Sequence, residues 1–66
     1  MKGIKYDHVT KLMTIKEVAA TVRLLQSYIR KLVRTGDFPK PLKITERRTA
    51  WVASDIEEFI QSKIVN

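Results

Sequence analysis

Two prolines two residues apart, Pro39 and Pro41, with Gly36 just before them, divide this 66-residue chain. Proline fixes φ near about −65° and gives up its amide, and it pushes the preceding residue into extended backbone. The run Gly36-Asp37-Phe38-Pro39-Lys40-Pro41 therefore excludes helix and holds the chain extended between two differently built halves. Gly36, one of only two glycines, stands where a closing helix wants a left-handed residue. Helix is expected before this block, and Phe38 is expected to plug the core as the chain leaves it.

Upstream, Thr14-Ile15-Lys16-Glu17 has the form of a capping box, in which Thr14 and Glu17 satisfy each other's amides. A short helix from Ile15 to about Thr21 follows, with Ile15, Val18 and Ala19 on one face and Met13 placed to staple against Val18. A turn at Val22-Arg23-Leu24 leads to a second helix, roughly Leu25 to Thr35, whose apolar stripe is Leu25, Ile29, Leu32 and Val33. Ser27, Arg30, Lys31 and Arg34 fall within about 60° of the centre of its opposite face, with Gln26 on the flank. Two helices joined by a few residues, the second apolar inside and basic outside, describe a helix-turn-helix.

Downstream, Leu42-Lys43-Ile44 alternates apolar and basic, and Thr49-Ala50-Trp51-Val52 is rich in strand formers. These predict a two-stranded hairpin with Arg47 and Arg48 at its tip. Trp51 is expected in the core beside Ile44 and Phe59 rather than as a stacking platform. Ser54-Asp55-Ile56-Glu57 reads as a second capping box, opening a helix from about Asp55 to Ile64 with Ile56, Phe59, Ile60 and Ile64 spaced for one face. Residues 1–11 read as a flexible arm and residues 12–66 as one domain. The expected fold is mainly α with a small β-hairpin, a winged helix-turn-helix in the order helix, helix, hairpin, helix.

Charge narrows the function. Thirteen Lys and Arg against seven Asp and Glu give a net charge of +6. Between Arg23 and Arg48 lie eight of these cations and only two acids, Asp37 and Glu46, while the rest of the chain is balanced at five against five. Such clustering suits a polyanion, because phosphates release counterions when clustered cations meet them.

The parts of a catalytic site are missing. Glu57 and Glu58 are neighbours in a helical first turn and point apart, and the one His, His8, lies in the expected arm. With no Cys and one His, neither a disulfide nor a thiolate metal site can form, and no glycine-rich phosphate loop exists. The reading is of a non-enzyme with no cofactor, metal or small-molecule substrate. No apolar run approaches the ~20 residues of a membrane span, and residues 1–10 lack the hydrophobic stretch of a signal peptide. No membrane partner is expected; a cytoplasmic, nucleoid-associated protein is.

The expected ligand is double-stranded DNA. Arg30, Lys31 and Arg34, with Gln26 and Ser27, would meet the major groove and its flanking phosphates. Arg47 and Arg48 would form a wing on phosphate or in a narrow minor groove, or simply keep an exposed hairpin soluble. Lys40 and Lys43 are phosphate contacts or solvent charges, and Tyr6 and Tyr28 stay unassigned, although Tyr28 flanks the basic face. The competing reading is a protein-binding inhibitor that docks the same basic face on an acidic partner, such as a response-regulator receiver domain.

The chain resembles the AlpA-like phage transcriptional regulators and related excisionases, small members of the MerR-like winged-helix superfamily. The resemblance rests on Ile15-Lys16-Glu17-Val18-Ala19, Ser27-Tyr28-Ile29-Arg30-Lys31-Leu32-Val33, the Gly36 to Pro41 run, Ala50-Trp51 and Ser54-Asp55-Ile56, and it covers about residues 12–62. It implies a prophage or mobile-element protein that binds DNA specifically, either regulating transcription or bending attachment-site DNA for excision. Other copies of itself on repeated sites, or an integrase, are the further partners it allows. By position it makes the second helix the recognition helix and Arg47 with Arg48 the wing. Members of that family usually carry Gly where this chain has Arg23, and Ser or Thr where it has Leu25.

Overall fold

A computed structural model describes residues 11–64. Residues 1–10, with Tyr6, His8 and nearly all of the expected arm, lie outside the described residues. The elements are β1 (Leu12–Met13), α1 (Ile15–Val22), α2 (Gln26–Thr35), β2 (Leu42–Lys43), β3 (Thr49–Val52) and α3 (Ala53–Ile64). The order helix, helix, hairpin, helix holds, and the fold is the expected winged helix-turn-helix, mainly α with a small antiparallel sheet.

The sheet has a third strand that the sequence did not announce. β3 is central, in the order β1-β3-β2, and both pairings are antiparallel. Leu12 faces Val52 and Met13 faces Trp51 on one side; Leu42 faces Ala50 and Lys43 faces Thr49 on the other. The Lys11 carbonyl, just before β1, accepts the Ala53 amide at 2.8 Å.

Five side chains form the centre: Val18 of α1, Ile29 of α2, Phe38 of the proline loop, Trp51 of β3 and Ile56 of α3. Each comes from a different segment, while β1 and β2 contribute no buried residue. Phe38 meets Trp51 edge-on at 6.3 Å and leans on Phe59 at 4.7 Å between ring centroids, both ordinary separations for aromatic pairs. Met13, Ile15, Leu32, Val33 and Ile60 pack around this cluster partly buried. No polar or charged residue is buried among the described residues.

Four expectations need correction. Leu25 is 75% exposed, because α2 starts at Gln26 and the extended Leu25 falls off the helical stripe. Ile44 is half exposed, because it sits past the end of β2 where the hairpin turns away from the core. Ile64 is exposed at the last turn of α3, beyond the reach of the cluster. Finally, α3 begins at Ala53, directly after β3, so Ser54 is inside the helix and forms no capping box. The bond from Ala53 to Lys11 satisfies an amide at this helix start in place of a side chain. Among the described residues no helix is long and apolar enough to cross a membrane.

Candidate nucleic-acid interface

Local chemistry sets the angle between α1 and α2. The capping box at the start of α1 is complete: the Thr14 amide donates to Glu17 Oε1 at 2.8 Å, and the Glu17 amide donates to Thr14 Oγ1 at 3.1 Å. At its other end Arg23 takes left-handed backbone, φ 61° and ψ 42°, and the Arg23 and Leu24 amides both donate to the Ala19 carbonyl. This closure needs a left-handed residue, which costs a side chain with a Cβ about 1–2 kcal/mol. Arg23 accepts that strain where glycine would not incur it.

α2 then runs for ten residues without an acid. Leu25 precedes it with no side-chain cap, so the first amides of α2 are left to other acceptors. At its far end Gly36, φ 85°, closes the helix with its own amide on Val33 and the Asp37 amide on Leu32. That double bond pattern is a Schellman closure, as the glycine led one to expect. The Thr35 hydroxyl lies 2.9 Å from Asp37 Oδ2 and 3.1 Å from the Leu32 carbonyl, which secures the exit.

The wing is fixed to α2 through the proline loop. Trp51 Nε1 donates to the Pro39 carbonyl at 2.8 Å, joining β3 to the segment that leaves α2. Beyond β2 and β3 the hairpin closes with the Ile44 amide on the Arg48 carbonyl at 2.8 Å. Its turn has no glycine; instead Thr45 Oγ1 accepts the Arg47 and Arg48 amides at 3.4 and 3.2 Å. A threonine hydroxyl can organise a turn in this way.

Ser27, Arg30, Lys31 and Arg34 are all exposed on α2, and Gln26 is half-buried at its first residue. Tyr28 is exposed as well. Lys43 is exposed on β2, and Arg47 and Arg48 are exposed in the hairpin turn. Arg30 and Arg34, one helical turn apart, line a concavity of ≈ 220 Å³ together with Ile15, Val33, Pro41, Thr49 and Trp51. Arg30, Arg34 and the foot of the hairpin thus share one surface. Lys43 is the register partner of Thr49, and directly paired residues project to the same side of a sheet. Gln26, Ser27, Lys31, Arg47 and Arg48 lie outside this concavity.

Two like charges at i and i+4 on a helix cost about 0.2–0.5 kcal/mol without a counter-charge. No carboxylate lines the concavity to relieve Arg30 and Arg34. Thr49 was not singled out by sequence reasoning; the signal was its place two residues before the buried Trp51, on the same face of β3.

Three helices, two of them in a helix-turn-helix, and a small antiparallel sheet with a hairpin wing define a winged helix-turn-helix protein. Among known families, the one described as prophage CP4-57 regulatory protein (AlpA) matches residues 11–64, a span that takes in all six elements. The chain belongs to this AlpA family of phage-type regulatory proteins. No curated protein and no solved structure matches it.

Proposed function

We propose that this protein binds double-stranded DNA sequence-specifically, with α2 in the major groove and the hairpin as a wing. It acts as a prophage transcription regulator or as an excisionase-like architectural factor, and it performs no chemistry itself. The observation that carries this reading is the acid-free, cation-bearing outer surface of α2 set beside the hairpin foot. Helix dimensions suit the major groove, and Ser27 and Gln26 at the start of α2 have the donors and acceptors to read base edges. The first amides of α2, lacking a side-chain cap, suit a phosphate oxygen. Arg47, Arg48 and Lys43 extend the contact to the flanking backbone or minor groove.

A domain this small gains affinity when copies sit side by side on repeated sites, and an excision role would add an integrase as partner. Neutralising ~4–6 phosphates gives a log–log salt slope of about −4 to −5. The test is retention of sheared genomic fragments at about 150 mM salt, followed by identification of what is retained. Selective retention is expected, and Arg30→Ala with Arg34→Ala should bring binding of the selected fragments too low to be held at this salt while leaving the melting temperature nearly unchanged. Equal retention of all fragments by the wild type would defeat the proposal. Enrichment beside an integrase gene, or at an attachment site, would separate regulation from excision.

A further inference from the structure

We infer that the concavity between α2 and the hairpin foot seats a single DNA backbone phosphate, which Arg30 and Arg34 grip jointly. This deepens the DNA-binding reading and rests on it. It gives these two arginines the task of fixing register along the duplex, and leaves base reading to Gln26 and Ser27 at the start of α2.

The lining has the composition of an anion seat. On the α2 side Arg30 and Arg34, a helical turn apart, line it, and planar guanidinium forks match phosphate oxygens two at a time. On the hairpin side Thr49, whose hydroxyl is a further donor, lines it, with Lys43 across the strand pair on the same side of the sheet. Between them, Ile15, Val33, Pro41 and Trp51 make an apolar floor. Such a floor supports the aliphatic stems of the arginines and strengthens their attraction to an anion by displacing water.

Size and position narrow the ligand. A concavity of ≈ 220 Å³ falls short of the roughly 300–1,000 Å³ that encloses a small molecule. On the DNA-binding reading, the anion is one link of a polymer that continues past both ends of this open concavity. Helix-turn-helix proteins use the N-terminal residues of the recognition helix for base edges. Arg30 is in the middle of α2 and Arg34 is its next-to-last residue, so both lie behind that reading end. The Trp51 bond to Pro39 ties β3 to the loop that leaves α2, which favours a seat formed before DNA arrives.

The probe is a short duplex enriched from a random-sequence pool by the wild-type protein, prepared again with one neutral methylphosphonate linkage moved along each strand. The proteins compared are the wild type and Arg30→Gln/Arg34→Gln, with far-ultraviolet circular dichroism confirming that the variant is folded. Wild-type affinity should fall about tenfold at one linkage position, and the same linkage should make no difference to the variant, because coupled partners lose their interaction only once. The variant should bind every sequence more weakly by a similar factor, with its salt slope reduced by about 1 rather than 2, since both arginines neutralise one phosphate. Arg30→Gln and Arg34→Gln singly should each show most of the double variant's loss.

The seat is overturned if the variant binds the enriched duplex well but no longer distinguishes it from a scrambled one, for the arginines would then be reading bases. It is overturned equally if the sensitive linkage stays sensitive in the variant. Failure of the wild type to enrich any duplex would instead remove the DNA-binding reading, and the seat with it.

Discussion

Arg23 occupies backbone that its own side chain disfavours, and the reason is positional. The turn between α1 and α2 closes on the Ala19 carbonyl only if the residue after the helix is left-handed. Arg23→Gly keeps that geometry and removes the clash of the Cβ. It should stabilise the fold by about 1 kcal/mol, partly offset by the freer unfolded chain. Thermal unfolding should show a midpoint higher by about 4–8 °C. An unchanged or lower midpoint would mean that the arginine side chain makes a contact worth as much as the strain. Thr45 is the matching case in the wing, where a hydroxyl organises a turn that has no glycine.

Among the elements, α2 has an asymmetry that can be tested. Its C-terminus is closed by Gly36, while Leu25 offers its first turn no side-chain acceptor. Leu25→Ser should supply that acceptor and remove an exposed apolar side chain, adding about 1 kcal/mol. Denaturant unfolding should show a higher midpoint with an unchanged slope; a lower midpoint would show that Leu25 contributes packing that its exposure hides.

What the sequence disclosed at this scale follows from range. The capping box of Thr14 and Glu17, the Ile29-Leu32-Val33 stripe and the Gly36 stop are interactions within one turn of chain, and all were legible. β1 is two residues long and exists only because β3 lies beside it, so no local pattern could signal it. A non-local partner also displaced the expected start of α3: the helix begins at Ala53, whose amide goes to the Lys11 carbonyl, so Ser54 lies inside the helix and not at its cap. The cations of the candidate interface were readable from spacing. Their shared concavity with Thr49 and Pro41 was not, because the Trp51–Pro39 bond that draws the hairpin to α2 spans twelve residues.

For the molecule as a whole, size and charge pull against each other. At this length folding hides only about 60% of the surface of the unfolded chain, and five side chains make up the central cluster. Eight of the thirteen cations lie between Arg23 and Arg48, and the fold must bear their mutual repulsion. Ile29 is fully buried at the centre. Ile29→Ala should cost about 2–5 kcal/mol, enough to leave much of a domain this small unfolded at 37 °C. Loss of the cooperative thermal transition would record it, and a melting curve like that of the wild type would show that the cluster is not what holds the fold.

Because each of five segments sends one anchor to the middle, no piece of the chain keeps an interior once another has left. Partial unravelling then has little to recommend it over complete unfolding, and intermediates should be scarce. A cellular protease would meet either an intact domain or a fully open chain, seldom a frayed one. The lifetime of such a regulator would therefore be governed by one equilibrium, and a ligand that closes on α2 and the wing would lengthen it for the entire chain at once.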